Sequence, residues 1–248
     1  MEPPLSNDPT SCARWAIVTG GSIRGGLAIS RQLHQRGLGV VVHHSGTASA
    51  ERAQAVVDGF NAQRPGSALR WQAALDEHPS FPHTDLDVSV VVCNASRLAA
   101  SHCADLDDAL IDFRVHVSGH AALLASVAPS LKRLKGSVVA VGDLQTQQPN
   151  RDYVWYLVAK AGLETLMRTL AVEWAPDVRC NVVAPGAMDW HEGWTDEVRR
   201  DAIMTSIPQQ RIGTFDELAG CIAWLALDAT YVNGQVLKMD GGRSAYLP

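Results

Sequence analysis

The 248-residue chain has no block of concentrated basic charge and no segment long enough to cross a bilayer. Its longest apolar stretch near the middle, Ala121–Ala128, is broken by Ser126. It falls far short of the roughly 20 residues a membrane helix needs. The formal net charge is −5, which excludes nucleic acid as the main partner, because phosphate binding needs a positive face. Five cysteines (Cys12, Cys93, Cys103, Cys180, Cys221) are odd in number and nowhere spaced CxxC. Neither a disulfide framework nor a zinc site is expected from them, and idle thiols suit a reducing cytoplasm. There is no internal repeat, low-complexity tract or interdomain linker. Residues 1–12 carry Pro and Ser but no positive segment and no apolar core, so they read as a flexible leader and not a signal peptide. Residues 13–248 are then expected to form one domain.

Short β-branched runs alternate with helical patterns. Strands are expected over Arg14–Thr19, Gly39–His43, Leu69–Leu75, Val88–Cys93, Ser137–Val141, Val178–Val183 and Gly234–Met239. Helices are expected over Leu27–Arg36, Ala50–Gln63, Asp107–Leu134 with an interruption at Ser118-Gly119, Tyr156–Trp174 and Phe215–Leu227. The connection from Leu75 to Val88 holds Pro79 and Pro82 and is too short for an ordinary crossover helix. The alternation implies a single-domain α/β fold of Rossmann type, a doubly wound parallel sheet between two helical layers, with ligands at the carboxyl ends of the strands.

The first strand runs into Thr19-Gly20-Gly21-Ser22-Ile23-Arg24-Gly25-Gly26. Glycines here let the backbone approach a pyrophosphate, and the helix that follows offers free N–H groups and a favourable dipole. Gly20, Ser22, Ile23 and Arg24 are therefore candidate cofactor contacts. The end of the second strand reads His43-His44-Ser45 and has no acid before Glu51. An acid there would bind the 2′-hydroxyl of NAD; its absence favours NADP, whose 2′-phosphate would meet His43, His44, Ser45 and Arg24.

Tyr156 and Lys160 are four apart on a predicted helix and share a face. An ammonium beside a phenol lowers its pKa toward the useful range, and the same lysine could hold a nicotinamide ribose. Asp143, 13 residues before Tyr156, lies just past the fifth strand at the same sheet edge. A carboxylate there opposes ionisation of the phenol and favours proton donation. His116 and His120 are also four apart, but no third ligand is evident, so no metal is expected.

At these residues the chain resembles the short-chain dehydrogenases/reductases from Arg14 to Gly242. The matching pieces are the TGxxxRxG loop, Asn94-Ala95-Ser96, Tyr156xxxLys160, Asn181xxxPro185-Gly186 and Asp240-Gly241-Gly242. Within them it is most similar to pteridine and dihydromonapterin reductases, through Arg24, Asp143, Cys93-Asn94-Ala95-Ser96 and Phe60-Asn61-Ala62-Gln63-Arg64-Pro65. The resemblance implies NADPH-dependent reduction of a pterin or dihydropterin. Asp143, Tyr156 and Lys160 would be catalytic, and Asn94, Ala95, Ser96, Lys160, Pro185 and Gly186 would line the cofactor. Arg24, Ser96, Leu98, Tyr153 and Trp190 would face substrate. A homotetramer is implied too. Leu98 stands where relatives place a stacking aromatic, His116 where they place a helix Asn, and Ala74-Leu75 where they place Ala-Asp. A loop with Asp189, Trp190, His191, Glu192 and Trp194 could close over a flat ring. A short-chain carbonyl reductase and a non-catalytic NADP-binding sensor are the competing readings.

Overall fold

Valine-rich runs become strands because helices cover both of their faces. In the computed structural model, which describes residues 12–147, 150–190 and 195–245, every residue of Trp15–Val18 (β1), Gly39–His44 (β2), Val88–Cys93 (β4) and Ser137–Val141 (β5) is buried. With Ala68–Gln72 (β3), Arg179–Pro185 (β6) and Val236–Met239 (β7) they form a parallel seven-stranded sheet, ordered β3-β2-β1-β4-β5-β6-β7. The expected doubly wound fold is present. The strand order reverses between β1 and β4, where such sheets open a ligand crevice.

Side-chain alternation along the strands divides the core in two. Val18, Val42, Val92 and Val139 face Ile29 and Leu33 of Arg24–Gln35 (α1), Phe60 of Ala50–Gln63 (α2) and Ile222 of Phe215–Leu227 (α7). Ile17, Val41, Val91 and Val138 face Leu123 and Leu131 of Gly119–Arg133 (α4), and Leu163 and Met167 of Val154–Glu173 (α5). Each fully buried Leu, Ile or Met here contributes about 1.5–3 kcal/mol. Cys12, at the end of the expected leader, packs against the second cluster; residues 1–11 lie outside the described residues. Among the described residues no helix is long and apolar enough to cross a membrane.

Three expectations are corrected. The third strand stops at Gln72, and Leu75–Glu77 forms one 3-10 turn followed by His78 at φ +53. Leu75 and Phe81 anchor this short crossover, with Phe81 edge-on to Trp71 at 5.2 Å. The helix expected over Asp107–Leu134 is not broken at Ser118-Gly119. Leu106–Phe113 (α3) passes through a π-helical turn, Arg114–Ser118, straight into α4. Gly119 is needed because a Cβ there would lie 2.1 Å from the Leu75 carbonyl oxygen. Glu197–Thr205 forms a helix (α6) not anticipated in the sequence, capped by Asp196, which accepts from the Arg199 N–H.

β6 is tied to the end of α7 by one side chain. The Arg179 guanidinium donates to the carbonyls of Leu225 (2.8 Å), Ala226 (2.8 Å), Ala229 (2.9 Å) and Val232 (3.3 Å). These include carbonyls that a helix end leaves unpaired. Arg179→Met should therefore cost about 3 kcal/mol, the scale for bonds to a charged group. That is a fall in Tm of roughly 6–12 °C for a chain of this size. A calorimetric Tm unchanged by the substitution would contradict this role.

Candidate active site

A cavity of about 1160 Å³ opens at the carboxyl ends of β1, β4, β5 and β6, with Gly20, Asn94, Val141 and Pro185 in its wall. It exceeds slightly the usual ligand-pocket range of roughly 300–1,000 Å³.

At its floor, the loop after β1 takes the shape its glycines predict. Gly20 has φ +63, and a Cβ on Gly26 would lie 2.0 Å from the Gly20 carbonyl oxygen, so α1 rests directly on the loop. No side chain caps α1 at Ile23, and its first N–H groups are free for an anion. Asn94 braces the loop by donating from Nδ2 to the Thr19 carbonyl at 2.9 Å. Thr19 Oγ1 in return accepts the N–H groups of Asn94 (2.8 Å) and Ala95 (2.9 Å). Gly20, Ile23, Arg24, Asn94, Ala95, Ser96, Pro185 and Gly186 all line the cavity. Ser22 is buried and is not part of that wall.

The residues ending β2 do not behave as expected. His43 is buried and both of its nitrogens are engaged: Nδ1 accepts the Gly20 N–H at 3.1 Å, and Nε2 donates to the Ala73 carbonyl at 2.9 Å. It props up the phosphate loop and has no nitrogen left for a 2′-phosphate. His44 is buried too, with Nδ1 toward the Gly46 carbonyl at 3.0 Å. Only Ser45 of the three is exposed, and none of them lines the cavity.

The expected proton-handling groups do come together. Asp143 Oδ1 accepts the Gln145 N–H at 2.8 Å, which leaves Oδ2 to accept the Tyr156 hydroxyl at 2.6 Å. Lys160 Nζ donates to the Val141 carbonyl at 2.8 Å and lies 5.8 Å from the Tyr156 ring centre. The expected lowering of the phenol pKa is not found. Burial and, after it, the Asp143 carboxylate push Tyr156 well above its ordinary value, so it is protonated at neutral pH. Burial holds the Lys160 ammonium down at about 8, against the pull of Asp143.

Leu98 is 64% exposed and lines the same cavity. Trp190 lines it as well, with the Arg200 guanidinium 5.5 Å over its ring. Tyr153 is not in the wall; it packs edge-on against Tyr156 at 6.4 Å. His191, Glu192 and Trp194 of the expected loop lie outside the described residues. Asp189 caps α7 by accepting the Phe215 N–H at 2.7 Å, while its carbonyl holds Arg24 at 3.3 Å. Met188, Arg199, Phe215 and Arg243 also line the cavity. They come from irregular segments and helix ends, where no periodicity marks them.

Residues 22–244 match the family model described as enoyl-(acyl carrier protein) reductase. The chain is 30% identical to the uncharacterized oxidoreductase YmfI of Bacillus subtilis over 237 residues, covering 92% of this chain and 97% of that protein. It is 29% identical to the 3-oxoacyl-[acyl-carrier-protein] reductase MabA of Mycobacterium bovis, covering 94% of each. Among solved structures it is similar to FolM alternative dihydrofolate reductase 1 from Brucella canis complexed with NADP, with TM-score 0.84, 24% identity and 98% of both chains covered. At that identity the likeness is one of fold.

Three neutral imidazoles support this site from below. Burial holds His43 and His120 down at about 4 and His116 at about 3. An unfolded chain protonates each near 6.5, so the unfolded state gains protons first as pH falls. Their stabilising effect is complete above pH 6.5 and is lost between there and about pH 4 for His43 and His120, and down to about pH 3 for His116. The loss has a slope of about 1.4 kcal/mol per pH unit for each group. Urea denaturation at pH 7, 6 and 5 should show midpoints falling steeply with acid. A midpoint flat over that range would exclude these buried neutral imidazoles.

Proposed function

The chain belongs to the short-chain dehydrogenase/reductase family of oxidoreductases, and from that premise we propose that it reduces a pterin or dihydropterin ring at the expense of NADPH. The observation that carries this reading is the 2.6 Å hydrogen bond between Asp143 and Tyr156. A carboxylate in that place cannot donate to a ketone oxygen as a hydroxyl would. It can keep a neighbouring phenol protonated and exchange protons with water, which suits protonation of a ring nitrogen.

The residues present fit the dinucleotide. The uncapped start of α1 and the backbone beside Gly20 and Gly26 would take its pyrophosphate. Lys160 has two ammonium protons beyond the one given to Val141, enough for the nicotinamide ribose hydroxyls. Ser45 and Arg24, both exposed, remain for the 2′-phosphate. When bound, the cofactor supplies hydride. Tyr156 gives its proton to the ring nitrogen next to the carbon being reduced, and Asp143 returns a proton to Tyr156 from water. The Brucella FolM protein, described as an alternative dihydrofolate reductase complexed with NADP, supports this assignment.

A second reading, reduction of a 3-oxoacyl or similar ketone, is favoured by Leu98, which offers no ring for stacking. The MabA relatives support it too. The protein is proposed to work in the cytoplasm as a homotetramer. The exposed Leu106, Leu110 and Phe113 of α3 and Val158 and Val172 of α5 are apolar surface that such association would cover.

NADPH oxidation with dihydrobiopterin or dihydromonapterin, compared with acetoacetyl thioester, decides between the two. Turnover of the thioester alone would overturn the pterin reading. Tyr156→Phe should lower kcat about 10²- to 10⁴-fold, the range for a general acid. Lys160 is charged below its value of about 8 and neutral above it. kcat/KM should therefore fall as pH rises through 8, and a profile level to pH 9 would show that the ammonium is not required.

A further inference from the structure

A second polar chain ends beside the Tyr156 ring. It begins in the π-helical turn Arg114–Ser118, which carries the fully buried His116. Such turns recur at functional sites. Its hydrogen-bond directions follow from obligate donors and acceptors. The Arg97 backbone N–H points at His116 Nε2 from 3.2 Å, so that nitrogen carries a lone pair. The ring proton is therefore on Nδ1, where the Asp112 carbonyl accepts it at 2.9 Å. Arg97 is itself pinned by its guanidinium to Asp108 and, at 3.0 Å, to the buried Asp112.

Ser96 Oγ lies 2.9 Å from the same His116 Nε2. That imidazole packs edge-on against the Tyr156 ring with centroids 5.5 Å apart. Ser96 and Tyr156 line the same cavity, and Ser96 acts to lower the Tyr156 pKa against burial. Ser96 thus has one proton and two acceptors. While Tyr156 is neutral, its own proton goes to Asp143, and the imidazole is the better acceptor for Ser96. Once Tyr156 gives that proton away, its oxygen is anionic. A bond to an ionised oxygen is about twice as strong as a neutral one. His116 is not stranded when Ser96 turns, because the Arg97 N–H still occupies Nε2.

We propose that Ser96 is a catalytic hydrogen-bond donor that turns from His116 to the Tyr156 oxygen as proton transfer proceeds, and that His116 is the positioning residue that holds it between turnovers. The Tyr156 O–H bond breaks, and its proton goes to the substrate atom next to the one that takes hydride from the dihydronicotinamide. The Ser96 O–H bond stays intact and only its acceptor changes. The inference rests on Tyr156 as proton donor but not on whether a pterin or a ketone receives the proton.

Two measurements test it. In ¹⁵N-histidine NMR of the protein with NADP at pH 7, His116 should be protonated on Nδ1 alone. Its Nε2 resonance should move in Ser96→Ala and return in Ser96→Thr. Protonation on Nε2, or an Nε2 resonance indifferent to Ser96→Ala, overturns the proposal without any substrate being needed. In steady-state kinetics, Ser96→Ala should lower kcat about 10- to 100-fold with KM unchanged, as loss of one bond to a charged group would. Ser96→Thr should restore it. His116→Gln, whose carbonyl can accept the Ser96 proton, should retain kcat, and His116→Phe should lose as much as Ser96→Ala. An unchanged kcat in Ser96→Ala, or a loss confined to KM, overturns the proposal. The same pattern is expected with dihydropterin and with acetoacetyl thioester. Turnover of the thioester alone therefore removes the pterin reading and leaves this one standing.

Discussion

Helices close both faces of the central strands, so polar chemistry has only the strand ends to occupy. β1, β2, β4 and β5 contain no exposed residue. The first place where hydrogen-bonding groups can collect is the carboxyl edge. Thr19 occupies the joint between two of those ends. Its hydroxyl oxygen accepts from Asn94 and Ala95 and faces His120 Nε2 at 3.0 Å. One side chain thereby fixes the phosphate loop against the segment that carries Ser96. The buried network below, through His43, His116 and His120, is satisfied mainly by backbone groups. Because a buried polar group without a partner costs about 1–3 kcal/mol, this network tolerates one arrangement of the loops and few others.

The same burial governs the reacting groups. A lysine four residues from a tyrosine suggests an activated phenolate, yet the nearer charge in the folded protein is a carboxylate. Asp143 touches the Tyr156 oxygen, whereas Lys160 is bonded to a backbone carbonyl. The balance favours a protonated phenol beside a lysine whose own charge is weakened by desolvation. Such a pair keeps the phenol in its protonated form at neutral pH.

How far the chain could be read without its structure follows from where each residue lies. Regular elements announce themselves by period, and the bounds of α7 agree with the sequence pattern to the residue. The grouping of Asp143, Tyr156 and Lys160 was legible because all three hang from a buried strand or a strong helix. The fates of His43 and His44 were not. A strand that ends in two imidazoles reads as a ligand edge, and only the paired register of β2 and β3 shows His43 committed to Ala73. The π turn was equally hidden, since one inserted residue leaves the apolar stripe almost intact. α6 escaped notice because its side chains are mostly polar and none of them is buried.

The cavity thus has two walls of different kinds. The proton-handling wall stands on β5 and α5, whose rotamers are locked by packing, so its chemistry follows from a few distances. The other part of the lining comes from Leu98, the stretch Met188–Trp190, and residues of α6 and the chain after β7. Several of these side chains are already engaged: the Arg200 guanidinium lies over the Trp190 ring and Asp189 accepts the Phe215 N–H. Charge reaches both walls: Arg24, Arg151, Arg199 and Arg243 line the cavity with Lys160, against Asp143 and Asp189. Such a field draws in an anionic dinucleotide from any direction. Leu98 offers this cavity apolar contact and no ring for stacking. The groups around Tyr156 are therefore set by the buried sheet and α5, whereas the rest of the lining is set by loops and helix ends.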